Sequence, residues 1–300
     1  MKKVFLVTAL LLFHTLPAMA DGLLVIQSLR IKPYDDALRG FRSICTSPVR
    51  KLFSADASEA DIAATIRRNA PDLILAIGLD ALNKVKSVRN VPIVYVMVLN
   101  PQPLVHDSAN ITGVSLAVQA DRQLAMVRRV LPHARVVGFP FDPDKSGAFA
   151  RNVQAAAAAA GIKLLTRKVH SSREAVKTLE EMKGEIDALW LPPDTTVMNP
   201  GTIDLLILSA GEKRIPVFTF SRKYVEKGAL FSMEVDAAEA GRQAGEMANR
   251  ILAGAGPQHV EKADAREGVL SVNPSVAKKL GISLSNDALK HAVKVQQEAP

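Results

Sequence analysis

"ALWLPPDTTVMNP", residues 188–200, changes character halfway along. Ala188, Leu189, Trp190 and Leu191 form an apolar run without polar alternation, as a strand covered on both faces does. Pro192 and Pro193 end the run, and Asp194, Thr195 and Thr196 lead towards "NPGTIDLLILSAGEKR", which reads as a helix. Strand, polar turn and helix together make the repeating unit of a parallel α/β sheet. The rest of the chain repeats that unit. Strand-like runs recur as "GLLVIQSL", "DLILAIG", "PIVYVMVL", "NITGVSL", "ARVVGFPF", "IKLLTRKV", "DALWLP", "IPVFTF" and "ALFSMEV". Between most of them lie helical segments such as "YDDALRGFRSI", "SEADIAATIRRN" and "SREAVKTLEEMKG", several opening on a capping Ser or Asp. The pattern predicts an α/β chain of doubly wound type.

The series is interrupted once. After "PIVYVMVL" comes the proline-rich "NPQPLVHDSA", then a strand, a helix and a fresh series from Arg135. Nine or so strands are many for one open sheet, so two lobes are expected. The six alanines at 155–160 sit inside a helical pattern that ends at Gly161, and helix propensity accounts for them.

At the start of the chain, Lys2 and Lys3 precede "VFLVTALLLF" and then "HTLPAMA", ending in Ala18-Met19-Ala20. Charge, short apolar core and small-x-small site predict a signal peptide over residues 1–20, cleaved after Ala20, and hence an exported protein. The apolar run is too short to span a bilayer, and no later one reaches the roughly 18 residues a span needs. No cysteine sits at the cleavage point to carry a lipid. The formal charge of +8 falls to +6 once Lys2 and Lys3 are removed, and the remaining charge is interleaved with acids. With aromatic residues only 5% and no block of like charge, nucleic-acid binding is not expected. Cys45 is the only cysteine, which excludes an intramolecular disulfide and a cysteine metal cluster. No metal or other cofactor is expected.

Ligands of open parallel sheets bind beyond the carboxyl ends of the strands. Asp194, Thr195 and Thr196 stand at such an end, where a carboxylate would accept from a ligand ammonium and the hydroxyls would hold an anionic group. Equally, Asp194 or a threonine would cap the following helix. Other strand ends offer Tyr34, Gly78, Leu79, Asp80, Asn100, Ser221 and Asp236. Singly, each is an ordinary cap or turn residue; together they would form two facing rims around a small polar molecule.

These residues lie in recognisable surroundings. "PYDDALRGF", "APDLILAIG", "NITGVSL", "LWLPPDTTV", "IPVFTFSRKYVEKGALFSMEVDAAEAGRQAGEMANRILAG" and "LSVNPSVAKKLGIS" occur in this order and cover nearly all of residues 21–300. In them the chain resembles the periplasmic substrate-binding proteins of ABC transporters, in the family that includes tryptophan- and tyrosine-binding members. The resemblance implies a two-lobed type I periplasmic binding protein fold, each lobe a parallel sheet flanked by helices, joined by three crossovers near residues 115–118, 233–236 and 257–268. Lobe 1 would comprise 21–116 plus 235–258, and lobe 2 would comprise 117–234 plus 259–300. It also implies capture of a small amino-acid-like ligand for an ABC permease, or for a periplasmic sensor domain, and moves Asp194 from cap towards ligand contact. A closing cleft needs no partner subunit, so a monomer is expected. The chain departs from the family at Leu79-Asp80, where a small hydroxyl residue is usual, and at Asn100, where an aspartate is. Both changes fall in one rim.

Catalysis is not expected. Asp80, Asp194 and Asp236 would supply paired carboxylates for hydrolysis. The sequence has no Gly-x-Ser-x-Gly elbow, phosphate loop or His-Glu-x-x-His motif, and its six histidines are scattered. A basic exported protein adhering to anionic envelope polymers is a further reading, which salt-sensitive, ligand-independent binding would support.

Overall fold

The structure, a computed structural model, describes residues 22–290 and 292–296. The signal peptide read at residues 1–20 lies outside the described residues. Strands β1 (Leu23–Gln27), β2 (Val49–Phe53), β3 (Leu73–Ile77), β4 (Ile93–Val98) and β5 (Ile111–Val118) build a first sheet. β6 (Val136–Phe141), β7 (Lys163–Lys168), β8 (Ala188–Leu191), β9 (Val217–Thr219) and β10 (Phe231–Val235) build a second. The chain then returns to the first sheet through β11 (Ala263–Ala265) and ends in the second through β12 (Gly268–Val272) and β13 (Val293–Lys294). The strand orders are β11-β5-β4-β3-β1-β2 and β13-β12-β10-β9-β8-β6-β7. All pairings are parallel except β10 with β12.

All nine strand-like runs of the sequence are strands. The four others escaped for physical reasons. β2 is "VRKLF", a half-buried edge strand with two adjacent cations, while β11 and β13 have only three and two residues. β12, "GVLSV", sits among turn residues.

Every residue of β1, β3 and β4 is buried, because helices cover both faces of the first sheet. Val25, Leu75 and Val94 pack under the helices Lys32–Ile44 and Ala237–Leu252. Leu24, Ile26 and Ile74 pack under the helices Glu59–Asn69 and Leu79–Val85. The period-2 alternation of side chains sends neighbours in one strand to opposite cores. The second sheet is covered likewise, with Phe139, Trp190, Phe218 and Phe231 on one face and Leu189, Leu191 and Val217 on the other. Phe139 meets Trp190 edge-on at 5.3 Å, and Phe218 stacks on Phe231 at 4.6 Å.

The backbone passes between the two sheets three times: after β5, after β10 and between β11 and β12. The third passage falls within the expected 257–268, but the lobe boundary does not follow the sequence expectation of residues 259–265 in lobe 2. Ala263–Ala265 pair with β5 of the first sheet, and the crossing comes only at residues 265–268. Three residues of strand, with Asp264 in the middle, carry no periodic signal by which to locate that edge.

Candidate cleft between the two sheets

The carboxyl ends of both sheets face a cleft of about 560 Å³, within the range of small-molecule sites. From the first sheet and its helices come Lys32, Tyr34, Asp36, Met97, Leu116 and Asp236; from the second come Phe149, Pro193, Phe220, Ser221, Met233 and Glu234. The lining is largely apolar, with polar groups at a few points.

Local structure aims these groups. Tyr34 lies in the first turn of the helix Lys32–Ile44, and burial pushes its phenol pKa above the ordinary value. Its ring rests against Gly78, where an added Cβ would meet the Tyr34 hydroxyl and ring carbon at 2.7 Å. Gly78 also holds φ +89° and ψ 167°, a conformation open essentially only to glycine. Met97 is reached through a bulge: its φ is +59°, and the β4–β5 register shifts between Val96 and Val98. That irregularity turns Met97 towards the cleft. Phe149 closes the far wall and meets Trp190 edge-on at 6.1 Å, so the aromatic core of the second lobe continues into the site. Ser221 donates to Oε1 of Glu234 at 2.9 Å. Asp236 accepts from the amide of Glu239 at 2.9 Å, capping the helix Ala237–Leu252 where the chain crosses between lobes.

Of the residues expected on the rims, Tyr34, Ser221 and Asp236 line this cleft. Asp194 does not. It is 1% exposed, and four donors occupy its carboxylate: the Asp142 amide at 2.8 Å, the Ser146 hydroxyl, and the amides of Thr196 at 2.9 Å and Val197 at 3.2 Å. β8 lies beside β6, which brings the end of one strand against the turn after the other. Asp194 therefore ties two strand ends together, and it caps no helix, since the next one starts only at Ile203. Thr196 donates to Asp142 at 2.6 Å, and Thr195 is exposed.

Leu79 and Asp80 also stand outside the cleft lining. Leu79 is 46% exposed, and Asp80 accepts from Ser54 with Lys84 3.7 Å away. Asn100 borders a smaller adjoining pocket, where its side-chain amide donates to the Lys145 carbonyl at 2.9 Å across the two lobes. Sequence reasoning missed Phe149, Phe220, Met233 and Glu234. Glu234 was discoverable, being the one charged residue within the apolar run "ALFSMEV". Asp142, Asp144 and His170 also gather ligand atoms within 4.8 Å of one another, away from the cleft lining. Asp142 there already accepts from Thr196 and from the amide of Asp144.

The family described as ABC transporter substrate binding protein matches residues 49–296. The chain belongs to this family. One relative of this family member is a tyrosine-binding protein of Clostridioides difficile, 22% identical over 240 residues, covering 77% of this chain and 69% of the relative. Among solved structures, the ligand-free, open form of CD0873, a substrate-binding protein with adhesive properties from Clostridium difficile, is similar with a TM-score of 0.72. It is 21% identical, covering 92% of this chain and 99% of that one. An ABC domain from Streptococcus pneumonia in complex with L-Trp has a TM-score of 0.59 at 22% identity, covering 91% and 98%. At these identities the structural likeness supports the two-lobed type I binding fold of this substrate-binding protein. Among the described residues no helix is long and apolar enough to cross a membrane.

Proposed function

We propose that the chain is the exported solute-binding component of an ABC transporter, taking up a small, partly apolar, amino-acid-like metabolite between its lobes in the periplasm. The observation that carries this reading is the cleft itself, to which both sheets contribute carboxyl-end residues: Tyr34 and Asp236 on one side, Ser221 and Phe149 on the other. A ligand touching both sides stabilises the closed arrangement, because only there does it make all its contacts. The three crossovers are the hinge. Tyr34, Ser221 and Asp236 are proposed as ligand contacts, with Gly78 shaping the wall behind Tyr34; the permease would read the closed form. Asn100 is proposed as a contact between lobes, whose hydrogen bond to Lys145 must be kept or remade as they move. The tyrosine- and tryptophan-binding relatives support an amino-acid-like ligand.

A thermal-shift screen of residues 21–300 against amino acids and related metabolites tests the reading. A ligand at a hundredfold over its dissociation constant should add about 2.7 kcal/mol of stability. Small-angle scattering with that ligand should show a smaller radius of gyration. An unchanged radius in the presence of a stabilising ligand would contradict closure.

A further inference from the structure

The charges that line the cleft are unevenly matched. Among the described residues Lys32 is the one cation of the lining, and it lies 2.7 Å from Asp36, which also accepts from Arg39 at 2.6 Å. Asp236 is engaged with the amide that it caps. Glu234 has one partner, the Ser221 hydroxyl, and enters no ion pair among the described residues. It is partly buried and shares the cleft lining with Phe220, Met233 and Phe149. A carboxylate in such surroundings is stabilised by a cation when water is excluded, and lobe closure excludes water.

The same lining is unsuited to an anion. Among the described residues the cleft lining holds no lysine or arginine besides the paired Lys32, and Lys145 borders only the smaller adjoining pocket. Two long helices start there and would attract an anion through their N-terminal amides: Ala237–Leu252 already has a carboxylate at that end in Asp236, and Lys32–Ile44 carries Asp35 in its first turn, with the amides of Tyr34 and Asp35 donating to the Ile31 carbonyl. A ligand carboxylate placed there would meet Asp236 and Glu234 with no counter-charge.

We propose that the cleft selects an apolar or aromatic primary amine, whose ammonium pairs with Glu234 and whose body lies against Phe149, Phe220 and Tyr34, in preference to the corresponding amino acid. This rests on the reading of the cleft as the ligand site and narrows its chemical class. Ser221 holds the Glu234 carboxylate by one oxygen and leaves the other for the ammonium.

Calorimetric titration of residues 21–300 at neutral pH decides the matter, with tyramine and tryptamine set beside tyrosine and tryptophan and beside the matching arylpropionic acids. At least one amine should bind tenfold or more tightly than its amino acid, and the acids should not bind. Glu234→Gln, which keeps an acceptor for Ser221, should weaken the amine tenfold or more without lowering the unliganded melting temperature. An amino acid binding as tightly as its amine, or an amine affinity unchanged in Glu234→Gln, overturns the inference while leaving ligand capture intact. If the metabolite screen finds a ligand and none of these amines binds, the inference alone falls. If no compound of either set binds, both the inference and the capture reading fall.

Discussion

Asp194 shows how one residue's chemistry depends on its neighbours. Its position at a strand end suits ligand binding equally well on paper, yet all of its acceptor capacity goes to Asp142, Ser146, Thr196 and Val197. Asp194→Asn places an NH2 group where Oδ1 or Oδ2 accepts, and leaves buried donors unpaired. A loss of about 1–3 kcal/mol per unsatisfied group follows. Thermal unfolding should show a melting temperature several degrees lower, while ligand affinity of the folded fraction should stay near wild type, since the carboxylate does not line the cleft. A large affinity loss at unchanged stability would restore it as a ligand contact. Gly78→Ala should behave oppositely in kind. Its φ of +89° strains any side chain, at about 1–3 kcal/mol, and the new methyl would displace Tyr34. Both melting temperature and ligand affinity should fall, and a variant losing only stability would show that Tyr34 does not contact ligand.

At the scale of elements, the helices Lys32–Ile44 and Ala237–Leu252 touch backbone to backbone. A Cβ on Gly40 would stand 1.9 Å from the Ala238 carbonyl oxygen, and one on Gly241 would stand 1.9 Å from that of Ala37. The glycines of "GRQAGEMANRIL" are therefore packing residues that let two helices cross closely over the first sheet. Both helices begin at the cleft, with Tyr34 on one and Asp236 capping the other. Gly241→Ala should force them apart and cost about 1–3 kcal/mol, the usual price of overpacking, read as a lower denaturation midpoint. Ligand affinity should drop too, because the separation displaces Tyr34 from Asp236; an unaltered midpoint would mean that the helices adjust without strain.

At the scale of the molecule, the strand that leads into the third crossover holds a titratable group. Asp264, in β11, accepts from Ser115 at 2.5 Å, and burial raises its carboxyl pKa, with the Ser115 hydroxyl opposing. Folding therefore disfavours its ionised form. That cost is present above the raised value, shrinks as pH falls through it, and vanishes below the ordinary value of 3.8, where the group is protonated in both states. Asp264→Asn, whose amide oxygen still accepts from Ser115, should melt higher than wild type at neutral pH, with the gap closing as pH approaches 3.8. A gap that widens on acidification would reverse the sign of the argument.

Local pattern was enough for the strand and helix alternation and for the nine strands, because periodicity and turn residues are properties of neighbouring positions, whereas the proline-rich interruption falls between β4 and β5 of the first sheet and not between the lobes. Tyr34, Ser221 and Asp236 were legible for the same reason, each lying just past a strand or at a helix start. What only the tertiary structure decided was which strand ends lie side by side. The order β9-β8-β6-β7 turned Asp194 inward onto the Asp142 turn, and the return of β11 to the first sheet brought Asp264 against Ser115 of β5. Both outcomes come from contacts between residues more than fifty positions apart, and no spacing within a strand or helix encodes such a distance.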